Sequence, residues 1–405
     1  MILNKVSNNS IIDILFIIIS TCAVSSYIGG PVVYGFIVLY SLYVVLLKDN
    51  ELKSTNYLCL SIFIIAFISI LVNFKDIEPV FRPGERIIML LIVMLAFSPI
   101  INSKTTFLYR KKTFLYFTVG LIIMAVASAI LAFTGFGYVN GILLGLSDWP
   151  NSLGYALGIS IITMLIGLKS SNWIIKICCL VGIGLCIVTI PETGTRTSWY
   201  SLPVIFLIYI FFNSESIKTM LAKFLLMSVA LILLFALFKP DLSLIEAKNE
   251  LARKRGEHSR ESLFEARFKE FKSSPIIGVG TFRCLTQYQK VDTNGHVESG
   301  NSFLAFLSMN GIIGFIAFIC FYIKTIGGFI KYISIKRMNK LSTFEQNISL
   351  VLVFNFIYML QAGALLNPGF YITGFNWLSL SIAYMHPRYC KICNDKENEI
   401  NKLSN

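Results

Sequence analysis

The chain has 405 residues, of which 55% are hydrophobic and 14% are charged, and its formal net charge is +13. Soluble domains carry about 25% charged residues, so this composition excludes an ordinary soluble protein and indicates an integral membrane protein. The positive charge follows from the placement of Lys and Arg in loops, so it does not require a nucleic-acid partner.

Twelve apolar runs of membrane-spanning length follow one another along the chain. A helix needs roughly 20 apolar residues to cross the hydrocarbon core of a bilayer. No convincing small-residue cleavage site follows the first run, so we interpret it as a retained helix and not as a signal peptide. The predicted spans are 11–28, 31–47, 56–73, 87–102, 113–134, 152–168, 172–190, 198–213, 219–238, 302–323, 347–366 and 370–386.

The basic residues of the short loops predict the orientation of these spans. Twelve spans place both termini on one side, and that side holds most of the Lys and Arg of the short loops. The short loops of the opposite side hold only Lys75, Arg82, Arg86 and Arg196. Because basic loops stay in the cytoplasm, we predict cytoplasmic termini and an outer location for the long polar segment between spans nine and ten.

The predicted fold class is therefore all-α, a polytopic membrane protein with about twelve transmembrane helices and one large helical outer loop. Spans one to nine occupy residues 1–238, the large loop residues 239–301, spans ten to twelve residues 302–386, and a cytoplasmic tail residues 387–405. We find no internal repeat and no separate soluble domain.

The large loop contains a predicted amphipathic helix that starts near Ser259. At 100° per residue, Arg260, Phe264, Arg267 and Phe271 share one face of this helix. Two arginines beside two phenyl rings are typical of a helix on a membrane surface with its arginines directed at an anionic ligand. An interfacial helix whose arginines snorkel to water fits the pattern equally well.

Cations collect at the predicted outer face. Arg196 follows a Gly and hydroxyl-rich turn at the start of span eight, and Arg82 and Arg86 lie at the start of span four. The planar guanidinium suits phosphate, although all three arginines also suit simple membrane anchors. His296 and Glu298 lie near the end of the large loop, and either could deprotonate a sugar hydroxyl.

Other function classes fit the sequence less well. The spans are almost free of charge, which argues against an ion-coupled transporter. The chain has 3 His, and no Asp-x-Asp pair occurs, so we predict no metal site and no cofactor. Cys390 and Cys393 form a Cys-x-x-Cys in the tail near His386, which indicates free thiols more than a zinc site.

Three motifs give the sequence a resemblance to a known superfamily. Thr193-Gly-Thr-Arg196 leads into a helix, Arg260 precedes an amphipathic helix that ends in Ser274-Pro-Ile-Ile-Gly-Val-Gly280, and Gly300-Asn-Ser-Phe-Leu304 precedes Asn310-Gly-Ile-Ile-Gly314. In these features the chain resembles the O-antigen ligase and polymerase superfamily, which comprises multi-spanning glycosyltransferases of the GT-C type. The resemblance covers roughly span six to span ten.

The resemblance implies a function at the outer face of the bacterial inner membrane. Such proteins use an undecaprenyl-diphosphate-linked glycan as donor and work without a metal. By resemblance, Arg196 and Arg260 hold the diphosphate, and Glu298 or His296 activates the acceptor hydroxyl. Substrate binding is assigned to four further residues, which are Arg267, Arg82, Arg86 and Asn301.

One departure from the family pattern favours a polymerase over a ligase. The ligases carry His-x-His-Asn at the end of the large loop, whereas this chain has Glu298 and Gly300 at the two histidine positions. We therefore predict an O-antigen polymerase, with a chain-length regulator protein as a further partner. A ligase that transfers the polymer to lipid A–core is the alternative. A polysaccharide or lipid-carrier transporter and a membrane scaffold are alternatives of other classes.

Overall fold

The computed structural model describes residues 10–25, 29–49, 51, 53–238, 261–289, 300–336, 341–363, 365–367 and 369–403. Almost all of the regular structure in these residues is α-helical. The helices are α1 Ser10–Val24, α2 Gly30–Tyr43, α3 Tyr57–Asn73, α4 Pro83–Phe97, α5 Lys104–Ala132, α6 Pro150–Gly167, α7 Trp173–Thr189, α8 Arg196–Phe212, α9 Ile217–Phe238, α10 Glu261–Ser273, α11 Ser302–Lys336, α12 Thr343–Gln361 and α13 Tyr371–Leu403. Two short antiparallel pairs join β1 Ser54–Thr55 to β2 Ile101–Asn102 and β3 Tyr138–Val139 to β4 Ile142–Leu143.

Polar residues in the connecting segments set several helix starts. The side chains of Asn56 and Asn172 accept hydrogen bonds from backbone amides in the first turns of α3 and α7. Ser342 and Glu345 form a reciprocal capping box at α12, with Ser342 N donating to Glu345 Oε2 over 2.7 Å. Asn301 Oδ1 accepts from the backbone amide of Phe303 over 2.8 Å and so caps α11.

Each of the twelve predicted spans coincides with a helix. By length and composition, seven segments of the described residues are able to cross a membrane: Gly30–Lys48, Tyr57–Asp76, Lys104–Ala132, Pro150–Gly167, Trp173–Thr193, Ser302–Ile335 and Thr343–Gln361. Two shorter apolar helices are Ile11–Val24 and Arg196–Phe212. The protein is therefore an all-α, multi-pass membrane protein, and the count of twelve crossings stays a prediction.

The chain divides into two compact units. The first comprises Met1–Ile37, Leu115–Ser262 and Met338–Gln361, and the second comprises Val38–Phe114, Leu263–Arg337 and Ala362–Asn405. In the first unit, α6 packs against α7, α8 and α12, and α9 packs against α7 and α8. In the second unit, α11 packs against α3 and α13, while α4 packs against α3 and α13.

The helix α11 is broken at Gly311, which has φ 63° and ψ −171°. The segment that follows α10 lies against this break. Val279 N donates to Ser308 O over 3.0 Å, and Ile312 N donates to the Pro275 carbonyl over 2.9 Å. A Cβ atom at Gly311 would lie 2.2 Å from the Ile276 carbonyl oxygen, so both the backbone conformation and the close approach require glycine here.

The span predicted for residues 302–323 runs through the Asn310-Gly311 dipeptide as one continuous helix and therefore misses this break. Asn-Gly is a turn signal, so the information was present in the sequence. The β3–β4 hairpin lies in a glycine-rich stretch between α5 and α6 and is likewise not predicted. Asn140 and Gly141 both have positive φ, at 51° and 75°, as a two-residue turn with mirror-image geometry requires.

A buried arginine of α5 caps the carboxyl end of α4 in the second unit. Arg110 has 0% exposure, and its guanidinium donates to the carbonyls of Leu95 and Ala96 over 3.1 and 3.0 Å. These are carbonyls of the last turn of α4, which have no partner within their own helix. A cation at this position also interacts favourably with the negative end of the helix dipole.

Candidate functional site

One candidate site is the turn that precedes α8 in the first unit. Pro191–Thr193 forms one 3₁₀ turn, and Gly194 follows with φ 60°. Thr193 Oγ1 donates to the Ile190 carbonyl over 2.7 Å and accepts from Thr195 N over 3.2 Å. Gly194 supplies the left-handed conformation, and the threonine hydroxyl satisfies the backbone around it, so the turn has a defined geometry.

The helix α6 holds this turn from the side. Thr195 Oγ1 donates to the Pro150 carbonyl at the start of α6 over 3.0 Å. A Cβ atom added at Gly154 would lie 2.7 Å from the Thr195 side chain. The two helix starts therefore touch, and a larger residue than glycine at position 154 would displace the turn.

Arg196 is the first residue of α8 and its side chain is partly exposed. The next residue is anchored to α12, since Thr197 Oγ1 donates to Gln361 Oε1 over 2.7 Å. The first backbone amides of a helix lack partners within that helix and lie at its positive end. Together with a guanidinium, this arrangement suits a phosphate or diphosphate group.

A separate candidate element is the helix α10, which lies mostly in the second unit and confirms an amphipathic helix at the predicted place in the chain. Arg267 and Ala266 are buried, whereas Phe264 is partly buried. Arg267 has 0% exposure, so its charge faces the interior of this unit and not the surface. Arg260 lies outside the described residues, as do His296 and Glu298.

The buried Arg267 pairs with Glu270, which is also 0% exposed, over 2.8 Å. Arg267 Nη1 additionally donates to the carbonyl of Arg283 over 3.3 Å, and Glu270 Oε1 accepts from Leu285 N over 2.8 Å. Within the described ranges, Nε and Nη2 of Arg267 have no hydrogen-bond partner. The pair therefore ties the segment 283–285 to α10, and the role of Arg267 in substrate binding stays a prediction.

The segment 283–285 contains a buried thiol. Cys284 is 1% exposed, and burial raises the pKa of its thiol to about 11, with the Arg267 charge acting in the opposite direction. A thiol with so high a pKa is mostly protonated at neutral pH and reacts slowly with electrophiles. Its reactivity therefore reports whether the segment stays packed.

The remaining predicted binding residues lie elsewhere in the second unit. Arg82 is exposed, has φ 44°, and lies 3.8 Å from Glu85. Arg86 is partly buried within α4. Asn301 caps α11, as described above, so its side chain has a structural function whatever it binds. Arg196, in contrast, belongs to the first unit.

Gly300 stands at the second histidine position of the ligase pattern. It is buried, has φ +65°, and a Cβ atom there would lie 3.3 Å from the Leu263 side chain. Glycine adopts this conformation without steric cost, and any side chain at position 300 would have to fit tightly against Leu263.

The described residues contain no group of three or more His, Cys, Asp and Glu that could hold a metal ion. That the reaction proceeds without a metal stays a prediction.

Comparison with known protein families gives one match. Residues 181–319 match the family model described as O-antigen ligase. The matched region runs from α7 through the Thr-Gly-Thr-Arg turn and α10 to the first half of α11. No curated protein matches the chain.

Proposed function

We propose that this protein, whose residues 181–319 match the family model described as O-antigen ligase, is an O-antigen polymerase. In this proposal it acts at the periplasmic face of the bacterial inner membrane. It transfers a growing undecaprenyl-diphosphate-linked glycan onto an incoming lipid-linked repeat unit. The termini are cytoplasmic, and a chain-length regulator protein is a further partner.

The observation that carries the proposal is the turn at Thr193–Thr195. It lies inside the matched region, and it presents Arg196 together with the amino end of α8. Donors in fixed positions stabilise developing negative charge without reorganising during the reaction. A departing diphosphate is such a charge, so this turn suits the leaving-group side of a glycosyl transfer.

The reaction also needs a base on the side of the acceptor hydroxyl. The acceptor hydroxyl oxygen forms a bond to the anomeric carbon of the donor sugar, and the bond from that carbon to the diphosphate oxygen breaks. The diphosphate leaves with the bonding electrons, stabilised by Arg196 and Arg260. The hydroxyl proton goes to Glu298 or His296.

The ligase is the second candidate, because the matching family model is described as O-antigen ligase. The polymerase is preferred because this chain has Glu298 and Gly300 at the two histidine positions of the ligase motif. Both enzymes use the same donor, so they differ in the acceptor alone.

The test is the surface-glycan profile of a strain that lacks the gene, compared with the complemented strain. A ladder reduced to core plus one repeat unit is expected for the polymerase. Loss of all attached repeats, with long polymer on the lipid carrier, would identify the ligase instead. An unchanged profile would contradict both.

Point variants test the residues in the complemented strain. Arg196→Gln and Arg260→Gln are each expected to reproduce the deletion profile at normal protein level, and retained activity in both would remove the diphosphate role. Glu298→Gln and His296→Gln separate the two candidate bases, since only the base is expected to be required. Lys75→Gln, an exposed cation of another predicted outer loop, is the matched control.

A further inference from the structure

A tyrosine and a glutamate meet beside the turn that carries Arg196. In the first unit, Tyr138 Oη donates to Glu192 Oε2 over 2.5 Å. Tyr138 belongs to β3 of the hairpin, and Glu192 is the middle residue of the 3₁₀ turn Pro191–Thr193. Neither residue was singled out from the sequence, because 54 positions separate them.

The hairpin that carries Tyr138 has several attachments. Leu143 is 0% exposed, and β4 packs against the 3₁₀ turn. Just after β4, Leu146 N donates to Ser128 Oγ of α5 over 3.0 Å, and Ser25 Oγ donates to the Leu146 carbonyl over 3.1 Å. The hairpin therefore holds Tyr138 in place.

The Glu192 carboxylate keeps acceptor capacity after this contact. An ionised carboxylate has about four acceptor positions, and no hydrogen bond to Oε1 is seen among the described residues. These residues also show no ion pair between Glu192 and Arg196. Glu192 is partly exposed and Tyr138 is 36% exposed, so a ligand can reach the pair.

This chemistry fits a sugar. Fixed carboxylates accept hydrogen bonds from vicinal hydroxyls, and exposed aromatic rings stack on the apolar faces of pyranose rings. Trp149, which is 59% exposed, directly precedes Pro150, the residue that binds the Thr195 hydroxyl. A carboxylate and two exposed aromatic side chains thus belong to the elements that surround the Thr193–Thr195 turn.

We propose that Glu192, oriented by Tyr138, binds hydroxyl groups of a sugar of the lipid-linked glycan beside the Arg196 turn. The inference rests on the proposed function, since it names a sugar subsite for the same substrate. Glu192 binds and orients the sugar, and the diphosphate is bound separately through Arg196.

The experiment measures the binding of two probes to the purified full-length protein in detergent. One probe is the repeat-unit oligosaccharide released by mild acid from the host's own surface polysaccharide, and the other is undecaprenyl diphosphate without a sugar. Glu192→Gln is expected to weaken oligosaccharide binding by about tenfold, because it removes a charged acceptor. It is expected to leave undecaprenyl diphosphate binding unchanged, and Arg196→Gln is expected to give the reverse pattern.

Tyr138→Phe separates this role from a purely structural one. The variant removes the same hydrogen bond to Glu192 but leaves the carboxylate available. If Glu192 only fastened the hairpin, both variants would weaken oligosaccharide binding equally, and that result would overturn the inference. We expect a clearly smaller loss for Tyr138→Phe, with equal shifts of the melting temperature in the two variants.

Asp76→Asn is the matched control, since Asp76 is an exposed carboxylate at the end of another 3₁₀ turn. It is expected to change neither binding constant. Undecaprenyl diphosphate binding without any oligosaccharide binding by the wild type would overturn the inference and leave the proposed function standing. Binding of neither probe by the wild type would overturn both.

Discussion

Replacing Glu270 by Gln is expected to release the segment that follows α10. Glu270 and Arg267 are both 0% exposed and are paired over 2.8 Å. Removing one partner of a buried ion pair costs about 3–5 kcal/mol, because the other charge stays buried without compensation. Gln keeps an acceptor for Leu285 N, so we expect the lower end, about 3 kcal/mol.

Cys284 provides the assay for this release. The thiol is buried next to the point where Leu285 N binds Glu270. If opening of the segment becomes easier by about 3 kcal/mol, the fraction of open protein rises on the order of a hundredfold. The labelling rate of Cys284 by a maleimide, followed by mass spectrometry, is expected to rise by that factor.

A matched control lies on the same helix. Glu265 pairs with Lys269 over 2.8 Å, and both side chains are at least half exposed. Glu265→Gln is expected to leave Cys284 labelling unchanged. Equal labelling in the Glu270→Gln variant and the wild type would refute the reasoning that the buried pair holds the segment.

Three further changes have defined outcomes. Gly154→Ala is expected to lower glycan transfer at normal protein level, because its Cβ would lie 2.7 Å from the Thr195 side chain. Gly35→Ala is the control in the same assay, since no atom lies within 4 Å of a Cβ at that position. Arg110→Met leaves carbonyls of α4 unpaired and is expected to lower stability by about 3 kcal/mol, seen as a lower melting temperature in detergent than Lys112→Met. At Asp49, burial raises the pKa, but hydrogen bonds from Ser103, Thr106 and the Glu51 amide outweigh it and hold the pKa below its ordinary value of 3.8. The ionised Asp49 therefore stabilises the fold above pH 3.8 and this stabilisation is lost as the pH falls through the lower folded-state pKa, so a melting series below pH 4 should fall more steeply for the wild type than for Asp49→Asn.

The sequence predicted the helices well, because each is a long apolar run whose length is set by the bilayer. It also predicted the α10 helix and the Thr-Gly-Thr-Arg turn in front of α8, since glycine and hydroxyl residues report the local backbone directly. The match of residues 181–319 to the family model described as O-antigen ligase agrees with the resemblance seen in the sequence. These features depend on local chemistry, which a single sequence contains.

Features that depend on distant partners were missed. The spacing of Arg267, Phe264 and Phe271 predicts a shared face at a membrane surface, with the arginine directed at an anionic ligand or snorkelling to water. The spacing does not show that Glu270 and the carbonyl of Arg283 would enclose it. The Tyr138–Glu192 contact joins two loops, and neither loop has a pattern that points to the other.

The break in α11 has a consequence for biosynthesis. A membrane-inserted helix cannot leave backbone groups without partners, since lipid offers none. The partners of the broken turn are Pro275, Val279 and Gly280, together with Ser69, whose hydroxyl donates to Met309 O over 2.7 Å. All of them precede residue 308 in the chain, so the ribosome has already made them when the break emerges. The nascent α11 can therefore bend at Gly311 as it enters the bilayer, without waiting for α12 or α13.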